Sequence, residues 1–334
     1  MRVALLGLGS VGSNFLKIMG DPINLRKISE MTGTELDIVS VTDSTGTYSS
    51  GGIPPKRLMT MKSEGMIPKD LHRIDLNEIT ELEPDILVDA SPASKDGLRE
   101  LSIYREAFKH DVSLVTANKS PLALHWNTIQ DAISRSKSRF LYEATVAGGV
   151  PLFSFIRGSC APSTITGFTG IVSLTVNVVL RRMASGMSFE EAIRECQKEG
   201  IAEADYTDDT NGLDAARKTV ILANSIFGTA KSLKDVRAMG VEDAMKVQNW
   251  KERNLRIMTR ITRKGNEVEI FTGPLELGKD DQFSHLGEMA MGYMINTTYN
   301  GNLFVSSAKD GPLETASAVC NDVFTISGQI KLRE

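Results

Sequence analysis

The sequence predicts an α/β chain, with an N-terminal doubly wound parallel sheet followed by a second, α+β domain. Three observations carry this expectation. A short apolar strand, Arg2–Leu6, runs straight into a glycine-rich turn. Strand-like and helix-like segments then alternate as far as residue 143. Beyond that point the pattern shifts to longer alternating strands interspersed with amphipathic helices. With 334 residues the chain has room for two domains, and 41% hydrophobic with 24% charged residues is ordinary for a globular protein. A net charge of −4 leaves no electrostatic footprint for nucleic acid or an anionic membrane. No apolar run approaches the roughly 20 residues of a membrane span, and the apolar run at Met1–Gly7 is too short for a signal peptide. Cys160, Cys196 and Cys320 are odd in number and lack a Cys-x-x-Cys spacing. They read as buried thiols in a reducing compartment, which makes a cytoplasmic location the expectation.

The elements of the first half follow in order. The strand Arg2–Leu6 meets Gly7-Leu8-Gly9-Ser10-Val11-Gly12, and residues 13–19 continue as a helix. This is the strand, G-x-G-x-x-G, helix order of a Rossmann-type dinucleotide-binding unit. Gly7 permits the tight turn, Gly9 lets backbone approach a pyrophosphate, and Gly12 lets helix and strand pack closely. Ser10 and Val11, within the turn, are further cofactor-binding candidates, and the N–H groups at the start of the helix favour an anion. The polar stretch 20–35 has room for an inserted helix. Strands are expected at 37–42, 84–89, 112–115 and 140–142, with helices near 55–64, 94–109 and 122–136. In such sheets ligands sit beyond the carboxyl ends of strands. That singles out Asp43, Ser91 and the run Thr116-Ala117-Asn118-Lys119. Asp43 can bond a ribose 2′-hydroxyl, favouring NAD, whereas Lys56 and Arg57 could hold the 2′-phosphate of NADP. Both cofactors stay open.

In the second half, residues 165–180 are apolar and β-rich, 253–262 alternate, 267–272 follow a Lys264-Gly265-Asn266 turn, and 303–307 complete a mixed or antiparallel sheet. Helices are expected at 188–199, at Leu213–Phe227, at 232–235 and at 283–291. The arrangement predicts a nucleotide domain of residues 1–143 plus 308–334, with a substrate, catalytic and dimerisation domain of residues 144–307 between them. The open face of its sheet suits a homodimer.

The most informative segment runs from Glu203 to Lys218, where five carboxylates approach a helix bearing Lys218 beside the apolar stripe Ala216, Val220, Ala223 and Phe227. A half-desolvated lysine with Asp214 one turn before it suits a proton donor. Read alone, it is also an ordinary i,i+4 pair of about 0.3 kcal/mol. His72, His110, His125 and His285 show no triad or metal-ligand spacing. Met239, Met245, Met289, Met291 and Met294 read as packing, and Asp280-Asp281 as a turn or helix cap.

Four segments together resemble the homoserine dehydrogenase family: Gly7 to Gly12; Thr116 to Lys119; Glu143-Ala144-Thr145-Val146-Ala147-Gly148-Gly149-Val150-Pro151; and Glu203 through Lys218. The resemblance implies NAD(P)-dependent interconversion of L-homoserine and L-aspartate 4-semialdehyde, as in threonine, methionine and isoleucine biosynthesis. It also implies a short monofunctional form without an aspartate kinase or regulatory domain. Lys218 and Lys119 correspond to proposed catalytic lysines, and Glu203 and Asp214 to acids that hold the amino-acid substrate. Thr175 is a further substrate contact, while Gly200 and Gly311 lie against the cofactor. The carbonyls of Glu143, Val146, Gly148 and Val150 correspond to a sodium site. The chain departs from the family at Leu174-Thr175-Val176-Asn177, where a glycine usually precedes the threonine. It departs again at Gly311-Pro312-Leu313, where Gly-x-Gly is common. On this reading two lysines from different domains converge on the carbonyl oxygen and each depresses the pKa of the other. The alternatives are another Rossmann-type amino-acid or hydroxy-acid dehydrogenase, and a catalytically inactive nucleotide sensor.

Overall fold

The computed structural model describes residues 1–67, 71–202 and 205–330. The chain divides into two compact units, Met1–Gly149 with Pro312–Glu334, and Val150–Gly311.

In the first unit the strands are β1 (Arg2–Leu6), β2 (Asp37–Asp43), β3 (Gly46–Ser49), β4 (His72–Ile74), β5 (Ile86–Asp89), β6 (Ser113–Thr116) and β7 (Phe140–Leu141). They form one sheet in the order β4-β3-β2-β1-β5-β6-β7. The run β2-β1-β5-β6-β7 is parallel, as a doubly wound sheet requires. The helices are α1 (Ser10–Met19), α2 (Pro22–Thr32), α3 (Pro55–Ser63), α4 (Leu98–Lys109) and α5 (Ser120–Ser134). Period-2 alternation in β1 sends Val3 and Leu5 into a core with Phe15, Leu16 and Met19 of α1. Val319, Val323 and Ile326 of the C-terminal helix Pro312–Ile330 complete that core, which ties this last helix to the first unit.

Two features depart from the sequence expectation. The hairpin β3-β4 extends the sheet antiparallel to β2. The two-residue turn Ser44-Thr45 reverses the chain after β2, and these strands are too short and polar to announce themselves. Helix α4 begins at Leu98 and not at 94, because Gly97 adopts φ +66° immediately before it. Helix α2 fills the polar stretch 20–35, started by the Asp21 carboxylate accepting from Ile23 N at 2.8 Å and ended by Gly33 at φ +72°. It accounts for the long interval between Gly12 and Asp43.

The second unit holds an antiparallel sheet in the order β10-β9-β8-β11-β12. Its strands are β8 (Ile165–Gly170), β9 (Leu255–Lys264), β10 (Glu267–Glu276), β11 (Met291–Thr297) and β12 (Asn302–Ser307). Its helices are α6 (Leu152–Ser159), α7 (Leu174–Ala184), α8 (Phe189–Lys198), α9 (Thr207–Thr210), α10 (Leu213–Phe227) and α11 (Val241–Met245). Two expectations fail here. The β-rich reading of 165–180 holds only to Gly170, and the rest becomes α7, with Thr175, Val176, Asn177, Val178, Val179 and Leu180 all buried. A helix buried all round shows no amphipathic period, so its sequence reads like a core strand. The helix expected at 283–291 is a single 3-10 turn, Gln282–His285, followed by β11. Asp281 caps that turn by accepting from Phe283 N at 3.0 Å.

Candidate active site

At the nucleotide turn each glycine does a different job. Gly7 sits at φ +92°, and a Cβ there would come within 2.5 Å of Ala90 O and 2.6 Å of Ser91 N. A Cβ on Gly12 would collide with Gly7 O. Gly9, by contrast, is exposed and faces open space. The cradle is therefore closed on the protein side and open where a pyrophosphate would approach. Helix α1 starts at Ser10 with no side-chain cap, which leaves its first N–H groups to an anion.

Asp43 ends β2, but its carboxylate is already engaged. Lys62 Nζ of α3 lies 2.5 Å from Oδ2, and Thr45 donates to Oδ1 from its N (2.8 Å) and its Oγ1 (2.5 Å). Burial pushes the Asp43 carboxyl up, but the bonds from Lys62 and Thr45 outweigh it and hold the group below its ordinary range. Lys56 and Arg57 are exposed on the same helix, and Arg57 lies 3.4 Å from Glu64. Beyond β5 and β6, Ser91 and Asn118 meet, with Asn118 Nδ2 donating to Ser91 Oγ at 3.2 Å. Lys119, half-buried, stands next in the chain at the mouth of α5.

In the second unit α10 begins after Gly212, which has φ +86° and packs its backbone against Met239. Ala216, Val220, Ala223 and Phe227 are buried as the helical stripe requires. Lys218 Nζ lies 2.9 Å from Asp214 Oδ2 and donates to Val172 O at 2.8 Å. The side chains are only 14% and 6% exposed, so this is not a solvated surface pair. Nζ therefore faces two protein oxygens, one as a hydrogen-bond acceptor and one across an ion pair. Arg217, next in the helix, pairs with Asp208 at 2.5 Å. Thr175 Oγ1 donates to Ile201 O at 3.0 Å, tying α7 to the loop that carries Gly200. Gly200 itself has φ +72° and open space around it. Glu203 lies outside the described residues. Gly311 closes this unit just before the C-terminal helix.

Of the carbonyl set taken for sodium, Glu143, Val146 and Gly148 lie in one buried segment of the first unit, with Gly148 at φ +54°. Val150 opens the second unit, where its carbonyl accepts from Leu152 N at 2.8 Å. Among the described residues no group of three or more His, Cys, Asp or Glu is placed to hold a metal. The oxygen donors of this segment suit a hard monovalent cation better than a transition metal. The four histidines form no cluster; His110 pairs with Glu106 and His125 meets Asp96 O. Lys62 and the Val172 carbonyl were not singled out from sequence. Lys62 acts across 19 positions, and a backbone acceptor leaves no side-chain signature.

A parallel sheet with this glycine cradle at its first turn is that of the NAD(P)-dependent oxidoreductases. Residues 7–143 match the family model for the homoserine dehydrogenase NAD-binding domain, and residues 151–324 match the model for homoserine dehydrogenase. The chain is 30% identical over 328 residues to a homoserine dehydrogenase of Sulfurisphaera tokodaii, covering 98% of each chain. It is also 30% identical over 346 residues to that of Methanocaldococcus jannaschii, covering 99% of this chain and 100% of the relative. The crystal structure of homoserine dehydrogenase from Thermoplasma acidophilum superposes with a TM-score of 0.84 at 39% identity, covering 98% and 99% of the two chains. The chain belongs to the homoserine dehydrogenase family. Among the described residues no helix is long and apolar enough to cross a membrane.

Proposed function

We propose that this chain interconverts L-homoserine and L-aspartate 4-semialdehyde with NAD or NADP, using Lys218 as its acid–base group. The observation that carries the proposal is the half-buried Lys218 ammonium, paired with Asp214 and donating to the Val172 carbonyl. A group fixed in this way is pre-oriented to give a proton to a developing alkoxide or to receive one from a hydroxyl. The nicotinamide cofactor, when bound, supplies or accepts the hydride. The open Gly9 backbone and the uncapped N-terminus of α1 hold its pyrophosphate, and Ser91 and Lys119 face its reactive half. Lys119 is the second catalytic lysine of the proposal. Asp214 and Glu203 bind the substrate ammonium by charge-assisted hydrogen bonds, with Thr175 holding the adjoining loop. Gly200 and Gly311 contact the cofactor. The carbonyls of Glu143, Val146, Gly148 and Val150 would hold a sodium ion. Residues 1–143 with 308–334 serve the nucleotide, and residues 144–307 the substrate.

A homodimer through the sheet of the second unit is part of the same proposal. The cross-strand row Phe271, Arg260, Thr169, Met294 and Phe304 lies on the face opposite α10, exposed at Arg260 and half-buried elsewhere. A cytoplasmic location is supported by three free, buried cysteines.

The test is spectrophotometric: L-homoserine is supplied with NAD and then NADP, and the absorbance of the reduced nicotinamide is followed. Turnover with at least one nucleotide is expected. Nucleotide binding without turnover would leave a sensor and end the proposal.

A further inference from the structure

Beside the glycine turn, five side chains of the first unit close a hydrogen-bonded ring. The Asp89 carboxylate, fully buried at the end of β5, accepts from Ser91 N (2.9 Å), Ser91 Oγ (2.6 Å) and Tyr104 Oη of α4 (2.6 Å). Tyr104 Oη lies 2.7 Å from Thr116 Oγ1 at the end of β6, and Thr116 Oγ1 accepts from Asn118 N at 2.9 Å. Asn118 Nδ2 donates back to Ser91 Oγ at 3.2 Å and to Pro92 O at 3.2 Å. The Tyr104 hydroxyl donates to Asp89, so Thr116 must donate to Tyr104, freeing a Thr116 lone pair for Asn118 N–H. Asp89 is thus held by three hydrogen bonds across its two carboxyl oxygens. Burial pushes its carboxyl up, against the bonds from Ser91 and Tyr104. Burial, followed by the charge of Asp89, raises the Tyr104 phenol well above its ordinary value, so it stays a donor. The Cβ contact at Gly7 places Ser91 N directly against the nucleotide turn, and Asn118 immediately precedes Lys119.

We infer that Asp89, Tyr104 and Thr116 are positioning residues that lock the loops after β5 and β6 to each other, fixing Ser91 and Lys119 against the nicotinamide half of the cofactor. The inference rests on the cofactor site proposed above. Tyr104 and Thr116 touch neither substrate nor cofactor; they act through Ser91 and Asn118. The ring spans two strand ends and a helix that share no local sequence motif, and a buried network with every member satisfied specifies one geometry.

The test compares Tyr104→Phe, Thr116→Val and Thr116→Ser in the full chain. For Tyr104→Phe we expect kcat to fall roughly 10- to 100-fold, as a small misplacement of reacting groups does. KM for homoserine should stay within about two-fold, because substrate affinity is set in the second unit. Affinity for the reduced cofactor, read by nicotinamide fluorescence, should fall roughly five-fold. Affinity for ADP-ribose or its 2′-phosphate, which lacks the nicotinamide, should be unchanged. Thr116→Val should match Tyr104→Phe, their combination should cost no more than either alone, and Thr116→Ser should restore near-normal values. Unchanged kcat and cofactor affinity in Tyr104→Phe would overturn the inference. So would an equal loss of ADP-ribose affinity, which marks general loosening. If Tyr104→Phe fails to fold, the contrast between Thr116→Val and Thr116→Ser decides. If the unaltered chain does not oxidise homoserine, the proposed function falls, while the ratio of reduced-cofactor to ADP-ribose affinity still tests the ring.

Discussion

At the scale of single residues, the site is a set of charges whose partners decide what they can do. Asp43 would prefer NAD if its carboxylate were free to bond a ribose 2′-hydroxyl. Lys62, 2.5 Å away, neutralises it and offers an ammonium to a 2′-phosphate. Lys62→Ala should therefore lower the ratio of kcat/KM for NADP over NAD by about ten-fold, the worth of one charge-assisted bond; steady-state rates with both nucleotides check it. The same pair has a pH signature. Because the folded Asp43 is held below its ordinary range, its stabilising contribution is present above the unfolded value of about 3.9 and is lost as pH falls through the folded one. Acid unfolding of Lys62→Ala should accordingly begin at a higher pH. The Asp214–Lys218 pair was legible in the sequence, since i,i+4 spacing beside an apolar stripe leaves little freedom in where the two charges point. Lys62 and Val172 were not legible, because both act through contacts between segments distant in the chain.

At the scale of elements, legibility followed periodicity. Helix α10 kept the bounds its stripe implied, Leu213–Phe227, and β1 with its glycine turn kept theirs. Helix α7 was misread because burial on all sides removes the helical period. What fixes it is Asn177, whose side chain donates to Ser173 O (2.8 Å) and Ile257 O (2.9 Å) and accepts from Ile257 N (2.9 Å). One amide thus splices α7 onto the backbone of β9. Asn177→Leu should destabilise the protein by about 2–4 kcal/mol, because it strands the buried Ile257 N–H and C=O. The urea midpoint of the variant measures this, and an unshifted midpoint would show that the splice contributes nothing.

At the scale of the whole molecule, the sequence announced an α/β nucleotide unit and an α+β unit, and the C-terminal helix carries the last described segment back into the core of the first. The antiparallel hairpin at the sheet edge and the 3-10 turn at Gln282–His285 were invisible, because short polar segments take their form from what they pack against. The three thiols report on both units: burial pushes Cys160 and Cys196 up and Cys320 up to about 12. Alkylation at pH 8 should therefore label none of them in the folded protein within the time that labels all three in urea, as mass spectrometry would read directly. The central claim is that Lys218 moves the proton, and the most direct measurement of it is steady-state turnover of L-homoserine by Lys218→Ala alongside its nucleotide affinity. The account predicts a fall in kcat on the order of 10²-fold or more with nucleotide affinity intact; near-normal turnover in that variant would contradict it.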